Sequence, residues 1–289
     1  MKASLNDIRK EQYYYNRSSN SLLLYGLDLN DWKKHPYTFL KSRYYMEMSS
    51  LLVYFLLKTK IKPNLITAIY AFSGILGGLF LSINNVGMVI AAIFIFFNKG
   101  ILDWSDGHYA RKTNQTSFTG HIFDSYGGLI NSLGFQIGLG IYVANYSSNI
   151  AYVYLTVVLV FFYASRVRSY TSNHVINEVL KGDIKIKSLT KIIDRYNNKD
   201  SDLYSNPQIK NQNMVFKYIK ILFAMFDDRA RSVDLICFII VLELVFQIYI
   251  TWLILIYLTV KSFIYFLGDL YLFLAGGWMK NLEEIIDRE

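Results

Sequence analysis

Cysteine is nearly absent: the 289-residue chain has one, Cys237, inside the apolar run LICFIIVLELVF. A disulfide within the chain is therefore excluded, and so is a metal site built on several thiolates. Cys237 itself reads as a small buried hydrophobe. Charge is also sparse, at 18% of residues against roughly 25% in a soluble domain. The net charge of +8 raises nucleic acid as a partner, yet no stacking-aromatic RNA motif or other recognition module is present, so none is expected. The basic residues flank apolar runs instead, the pattern expected beside anionic lipid headgroups. The opening residues MKASLNDIRKEQYYY contain no apolar core, and no cleavable signal peptide is expected there.

Hydrophobic residues make up 53% of the chain and aromatics 17%, with Tyr 24 and Phe 20. The length alone fits a single domain of any class. The distribution decides, because apolar residues arrive in runs and the charges fall between them. Residues 1–62 read as a polar, aromatic cytoplasmic extension that ends in an interfacial helix around Tyr44 to Leu57. That apolar stretch is too short to span and is followed by Lys58, Lys60 and Lys62. From Asn64 onward the runs lengthen to bilayer size, about 20 residues for a hydrocarbon core of about 30 Å. Spans are expected at 64–82, 86–102, 121–145, 149–165, 233–249 and 251–274. A hydrophilic insert at 166–231 separates the fourth from the fifth. The expected fold is an all-α integral membrane protein of six transmembrane helices, with 63–289 as its membrane domain.

Lysine and arginine placement sets the expected orientation. The segments 1–62 and 166–231 contain 11 and 13 of the 30 basic residues, whereas the turns at Asn84-Asn85, 146–149 and 247–251 contain none. With six spans every basic segment falls on one side. Both termini and the insert are then cytoplasmic.

Chemistry is sought in the polar stretch after the second run. It reads Asp103-Trp-Ser-Asp106-Gly107-His-Tyr-Ala110-Arg111, then eight residues, then Gly120-His-Ile-Phe-Asp124-Ser-Tyr-Gly-Gly128. On a helix Asp103 and Asp106 lie one turn apart on one face. An antiparallel helix pair would bring Asp124 opposite them. Carboxylates at a membrane boundary repel one another and lose hydration, so they need a partner. The natural partner is a hard divalent cation that takes oxygen ligands. Gly107, Ala110 and Gly120 are small residues that let backbones approach one another, or a ligand.

Together these residues resemble the CDP-alcohol phosphotransferase signature, D-x2-D-G-x2-A-R-x8-G-x3-D-x3-D. Seven of its eight fixed positions are present at the family spacing: Asp103, Asp106, Gly107, Ala110, Arg111, Gly120 and Asp124. The segment Lys62-Pro63-Asn64-Leu65-Ile66-Thr67 is similar to the family's approach to its first span. The resemblance covers about 60–170, and Gly128 stands where the family has its last aspartate.

The resemblance implies transfer of a substituted phosphoryl group from a CDP-linked donor to an alcohol or phosphorylated acceptor, with release of CMP. The product would be a phospholipid or a related phosphodiester. It implies Mg2+ or Mn2+ held by Asp103, Asp106 and Asp124, with the cation stabilising charge on the leaving phosphate. It further implies that Gly107, Ala110 and Gly120, with Asn64 and Thr67, line the nucleotide pocket, and that Arg111 supports the site electrostatically. Arg166 and Arg168 are expected at a second phosphate. The family commonly dimerises, so a homodimer in the bilayer is expected by resemblance only.

In the family the aspartate missing here is a metal ligand and the proposed base. Three explanations for Gly128 stay open. His121 or His108 acts as base, the acceptor is already ionised, or the protein binds a CDP-alcohol without turnover. A membrane transporter is a further alternative, motivated by the intramembrane charges Glu243, Lys261 and Asp269. Against it, the carboxylate motif does not recur and no paired broken helices are apparent.

Overall fold

The computed structural model describes residues 4–18, 36–165, 185–186, 230–275 and 286–287. In chain order the helices are α1 Leu5–Ser18, α2 Pro36–Leu56, α3 Pro63–Ser82, α4 Val86–Lys112, α5 Phe118–Ser147 and α6 Ala151–Ala164, followed by α7 Ala230–Phe246 and α8 Thr251–Leu274. The strands β1, Lys185–Ile186, and β2, Ile286–Asp287, form a two-residue antiparallel pairing. The all-α expectation holds apart from that pairing.

Four helices are long and apolar enough to cross a membrane: α3, α4, α5 from Ile122, and α8. By length and composition these helices are consistent with an integral membrane protein. The spans expected at 149–165 and 233–249 correspond to α6 and α7, which have 14 and 17 residues. Both are shorter than the roughly 20 residues that match a bilayer core. The expected interfacial helix is longer than its apolar stretch and starts at Pro36. The polar N-terminal region also forms α1, which the scattered charge of that segment did not suggest.

The chain forms two compact units, Met1–Val153 with Asp227–Trp252, and Tyr154–Phe226 with Leu253–Glu289. In the second, the ring of Phe162 lies 4.9 Å from that of Phe263 and 5.3 Å from that of Phe266. Lys261 is buried in the same unit.

The first unit contains the signature, and α3 is its organising element. Pro63 opens the helix at a position where a missing N–H costs nothing, after an extended Lys62. Its packing against α5 is set by small residues. A Cβ at Gly78 would stand 2.2 Å from the Gly134 carbonyl oxygen, and one at Gly74 would stand 2.4 Å from the Cα of Asn131. Side chains at these positions would force the backbones apart, so glycine permits the close approach. Asn131 Nδ2 donates to the Tyr70 carbonyl at 3.1 Å, and Asn145 Nδ2 to the Ser82 carbonyl at 2.8 Å. The paired positions rise together along both helices, so α3 and α5 run in the same direction. Their N-terminal ends therefore lie at one end of the bundle, where α4 ends.

Helices α1 and α2 belong to this unit too. Ile8, Val53, Ile66 and Tyr109 make one buried core that joins α1, α2, α3 and α4. Arg9 pairs with Glu47 at 2.7 Å, and Lys112 with Glu11 at 2.5 Å. The N-terminal region thus packs directly on the helix that holds the signature.

Candidate functional site

Helix α4 begins at Asn85, whose side chain accepts from the backbone N–H of Met88. It continues for 27 residues, about 40 Å at 1.5 Å per residue, well beyond the roughly 30 Å of hydrocarbon. Its apolar length is used up before its helical length. The segment from Asp103 to Arg111 is therefore the last part of a spanning helix, not a loop between spans as the polarity of the stretch implies.

The eight-residue spacer of the signature also has a structural reason. Asn114 is left-handed, with φ 54°, and the Gln115 N–H returns to the Ala110 carbonyl at 2.8 Å. Such reversals satisfy carbonyls that a helix end leaves open. Two residues later Ser117 caps α5, its hydroxyl accepting from the Gly120 N–H at 3.0 Å. The spacer is one tight helix–turn–helix with no slack.

Asp106 is 5% exposed. Its Oδ2 accepts from the Thr67 hydroxyl at 2.6 Å, and its Oδ1 from the Gly107 N–H at 2.5 Å. Each oxygen keeps one lone-pair direction. Asp103 and Asp124 are half-buried. The charge of Asp124 acts on both Asp103 and Asp106, so the three carboxylates share one electrostatic neighbourhood. Lys99 offsets Asp103 and Arg111 offsets Asp106.

The expected antiparallel pairing of α4 with α5 is only slight. Both helices pack mainly on α3, which stands between them. Thr67 is the bridge: its hydroxyl holds Asp106 of α4, and its methyl lies 3.1 Å from where a Gly127 Cβ of α5 would be. Asn64 is the second contact, with Oδ1 3.5 Å from a Cβ at Gly120. Gly107 makes room for Arg111, whose Nη1 lies 3.2 Å from where a Gly107 Cβ would stand. Ala110 is half-buried on the same helix. At Gly128 a Cβ would meet nothing within 4 Å.

The histidines separate. His108 is 1% exposed, and neither ring nitrogen has a hydrogen-bond partner. It lies two residues from Asp106, about 200° around the helix, within the fields of Arg111, Glu11 and Lys112. His121 lies in the first turn of α5, but its side chain is outside the described residues, as are Arg166 and Arg168.

The donors fit a hard divalent cation in chemistry, since all three are carboxylates and Asp106 retains acceptor capacity. In spacing they are looser than a formed metal cluster. Among the described residues no three His, Cys, Asp or Glu side chains gather closely enough to hold a metal.

Two of these features were not anticipated from the sequence. Lys99 is a buried cation one turn before Asp103, visible as the lone charge in the run 86–102. Ser117 was readable as a cap from its place before the apolar helix. Glu243, expected as an intramembrane charge, has a structural task. It accepts from Tyr142 Oη at 3.2 Å and from the Thr251 N–H at 2.5 Å, which caps the start of α8.

Residues 60–193 match the CDP-alcohol phosphatidyltransferase family model. The resemblance carried by the signature is thereby shown over this stretch, which includes α3, α4, α5 and α6. No curated protein matches the chain. The match begins just before Asn64 and Thr67, the α3 residues that join both halves of the signature.

Proposed function

We propose that the chain is a metal-dependent membrane transferase that moves a substituted phosphoryl group from a CDP-linked donor to an alcohol or phosphorylated acceptor, releasing CMP. The observation that supports it most is the union of the family match with a buried signature aspartate, Asp106, held by Thr67 of α3. A buried carboxylate in a membrane helix is costly unless it is compensated, and such groups are functional by default.

In this reading Asp103, Asp106 and Asp124 hold Mg2+ or Mn2+, which when bound neutralises charge on the diphosphate and leaving phosphate. Thr67 fixes Asp106. Arg111 sits beside Gly107, where its guanidinium meets anionic oxygens of the donor. Gly107, Ala110, Gly120 and Asn64 line the nucleotide pocket. The N-terminal ends of α3 and α5 lie beside it, and their dipoles favour an anion. Arg166 and Arg168 serve a second phosphate on the acceptor, and His121 acts as base. A general base contributes about 10²–10⁴-fold, so turnover without the last signature aspartate is slow rather than absent. All six apolar helices cross the bilayer, with both termini, the insert and the site on the cytoplasmic side. The basic residues concentrated in 1–62 and 166–231 support this orientation. The protein works as a homodimer in phospholipid or related phosphodiester synthesis.

The test is CMP release by purified protein given labelled CDP-diacylglycerol or soluble CDP-alcohols with candidate acceptors, with and without chelator. Metal-dependent release supports the transferase. Nucleotide binding without release supports a binding-only member, and absence of both rejects the reading.

A further inference from the structure

Helix α1 lies outside the stretch 60–193 that matches the family, yet it docks where the Thr67–Asp106 bond joins α3 to α4. It has 14 residues, a length at which an isolated helix is marginal in water. Ser4 caps its first turn, the hydroxyl accepting from the Asp7 N–H at 3.2 Å. Docking must supply the rest of its order.

Ile8, Glu11 and Gln12 are spaced by three and four residues, so they share one face of α1. Ile8 is fully buried in a single cluster with Val53 of α2, Ile66 of α3 and Tyr109 of α4. Ile66 immediately precedes Thr67. Tyr109 comes one turn after Asp106, and its hydroxyl donates to the Ile61 carbonyl, just ahead of α3, at 2.8 Å. The cluster therefore joins α3 to α4 beside the bond between Thr67 and Asp106.

Polar contacts hold α1 over that seam. Glu11 pairs with Lys112 in the last turn of α4, the residue after Arg111. Gln12 Nε2 donates to the Ser49 hydroxyl of α2 at 3.4 Å. Arg9 and Tyr13, four residues apart, each donate to Glu47 Oε1 at 2.8 Å.

We propose that α1 is a brace for the signature, with Ile8 and Glu11 as positioning residues. Ile8 keeps the seam beside Thr67 and Asp106 closed, and Glu11 fixes the end of α4 that follows them. The Asp106 carboxylate is thereby held in one orientation by a segment that contains no part of the signature. The functional meaning of the brace rests on the transferase reading.

The test uses full-length protein in lipid vesicles and the variants Glu11→Lys, Lys112→Glu, the two together, and Ile8→Ala. Asn145→Ala is the control, since Asn145 holds the Ser82 carbonyl at the opposite ends of α3 and α5. Hydrogen exchange of the backbone amides of 106–113 is read first. Each charge reversal sets like charges against each other and is expected to speed that exchange by about fivefold or more. The double reversal restores opposite charges and is expected to recover at least half of the loss. Asn145→Ala is expected to leave the exchange of 106–113 unchanged. Glu11 and Lys112 are 43% and 25% exposed, so these variants remain folded even if Ile8→Ala does not accumulate. Unchanged exchange in the single reversals, no recovery in the double, or equal acceleration in Asn145→Ala overturns the brace. The second reading is the Mg2+ concentration for half-maximal CMP release from CDP-diacylglycerol or a soluble CDP-alcohol. A group that directly orients a metal ligand is worth about 10–100-fold. Glu11 acts one contact further away, so Glu11→Lys is expected to raise the requirement by about threefold or more, and Asn145→Ala to leave it unchanged. Release with an unaltered Mg2+ requirement in Glu11→Lys overturns the positioning role. Wild type that releases no CMP rejects the transferase reading instead, and the exchange result still decides the brace.

Discussion

The hydroxyl of Thr67 donates to the buried Asp106 carboxylate across 2.6 Å, and that single bond ties the first spanning helix to the signature helix. Replacing it with the near-isosteric valine leaves the buried carboxylate with one protein donor. Thr67→Val is expected to cost about 1.5–3 kcal/mol, the range for a hydrogen bond to a charged group. Thr67→Ser is expected to restore most of it. Thermal unfolding of the purified variants measures both, and equal stability of Thr67→Val and wild type contradicts the bridge.

Gly128 gives the opposite expectation. Because a Cβ there meets nothing within 4 Å, Gly128→Asp is expected to fold with stability within about 0.5 kcal/mol of wild type. If the missing aspartate limits the rate, CMP release rises, by as much as about 10²–10⁴-fold. A stable variant with a lower rate shows that the donor or acceptor occupies that space.

The α3–α5 contact sets a third expectation. Gly78→Ala drives a methyl to 2.2 Å from a backbone oxygen that has no rotamer to escape into. Overpacking of this kind costs about 1–3 kcal/mol or more. Gly128→Ala on α5 is the matched control, expected to be near neutral. Loss of monodispersity or of Tm in Gly78→Ala alone is the predicted contrast.

The docking of α1 carries a pH dependence. The Arg9 guanidinium, followed by the Tyr13 hydroxyl, holds the Glu47 carboxylate below its ordinary value of 4.5. A folded value below the unfolded one means the contribution is present above pH 4.5 and lost as pH falls through the lowered value. The pair is partly exposed, so its contribution is small. The Tm gap between wild type and Glu47→Gln is expected at pH 7 and should close under acid. A gap that widens toward pH 3 contradicts this.

Much of this was readable from residue order. The spans at 64–82 and 251–274 lie within a residue of α3 and α8, because uninterrupted apolar runs bounded by polar turns have one economical state in lipid. The three aspartates were singled out by their spacing in the chain. What spacing does not contain is the third helix between two others. Thr67 and Asn64 were tied to the site only through resemblance, and the role of α3 as the bridge between α4 and α5 is a tertiary fact. Helix α1 was missed because its inward face is carried by single residues such as Ile8 and Gln12 amid charge. The expected span ended at 102 because polarity marks where lipid stops, whereas α4 itself continues to Lys112, ahead of the left-handed Asn114.

The most direct measurement compares metal-titrated CMP release by wild type and Asp106→Asn in the same lipid vesicles, with the candidate CDP-linked donors. The expected result is release by wild type that requires Mg2+ or Mn2+ and falls at least about 10²-fold in the variant while the protein remains folded. Release that is unchanged in folded Asp106→Asn, or independent of divalent cation, contradicts the assignment of this carboxylate to the reaction.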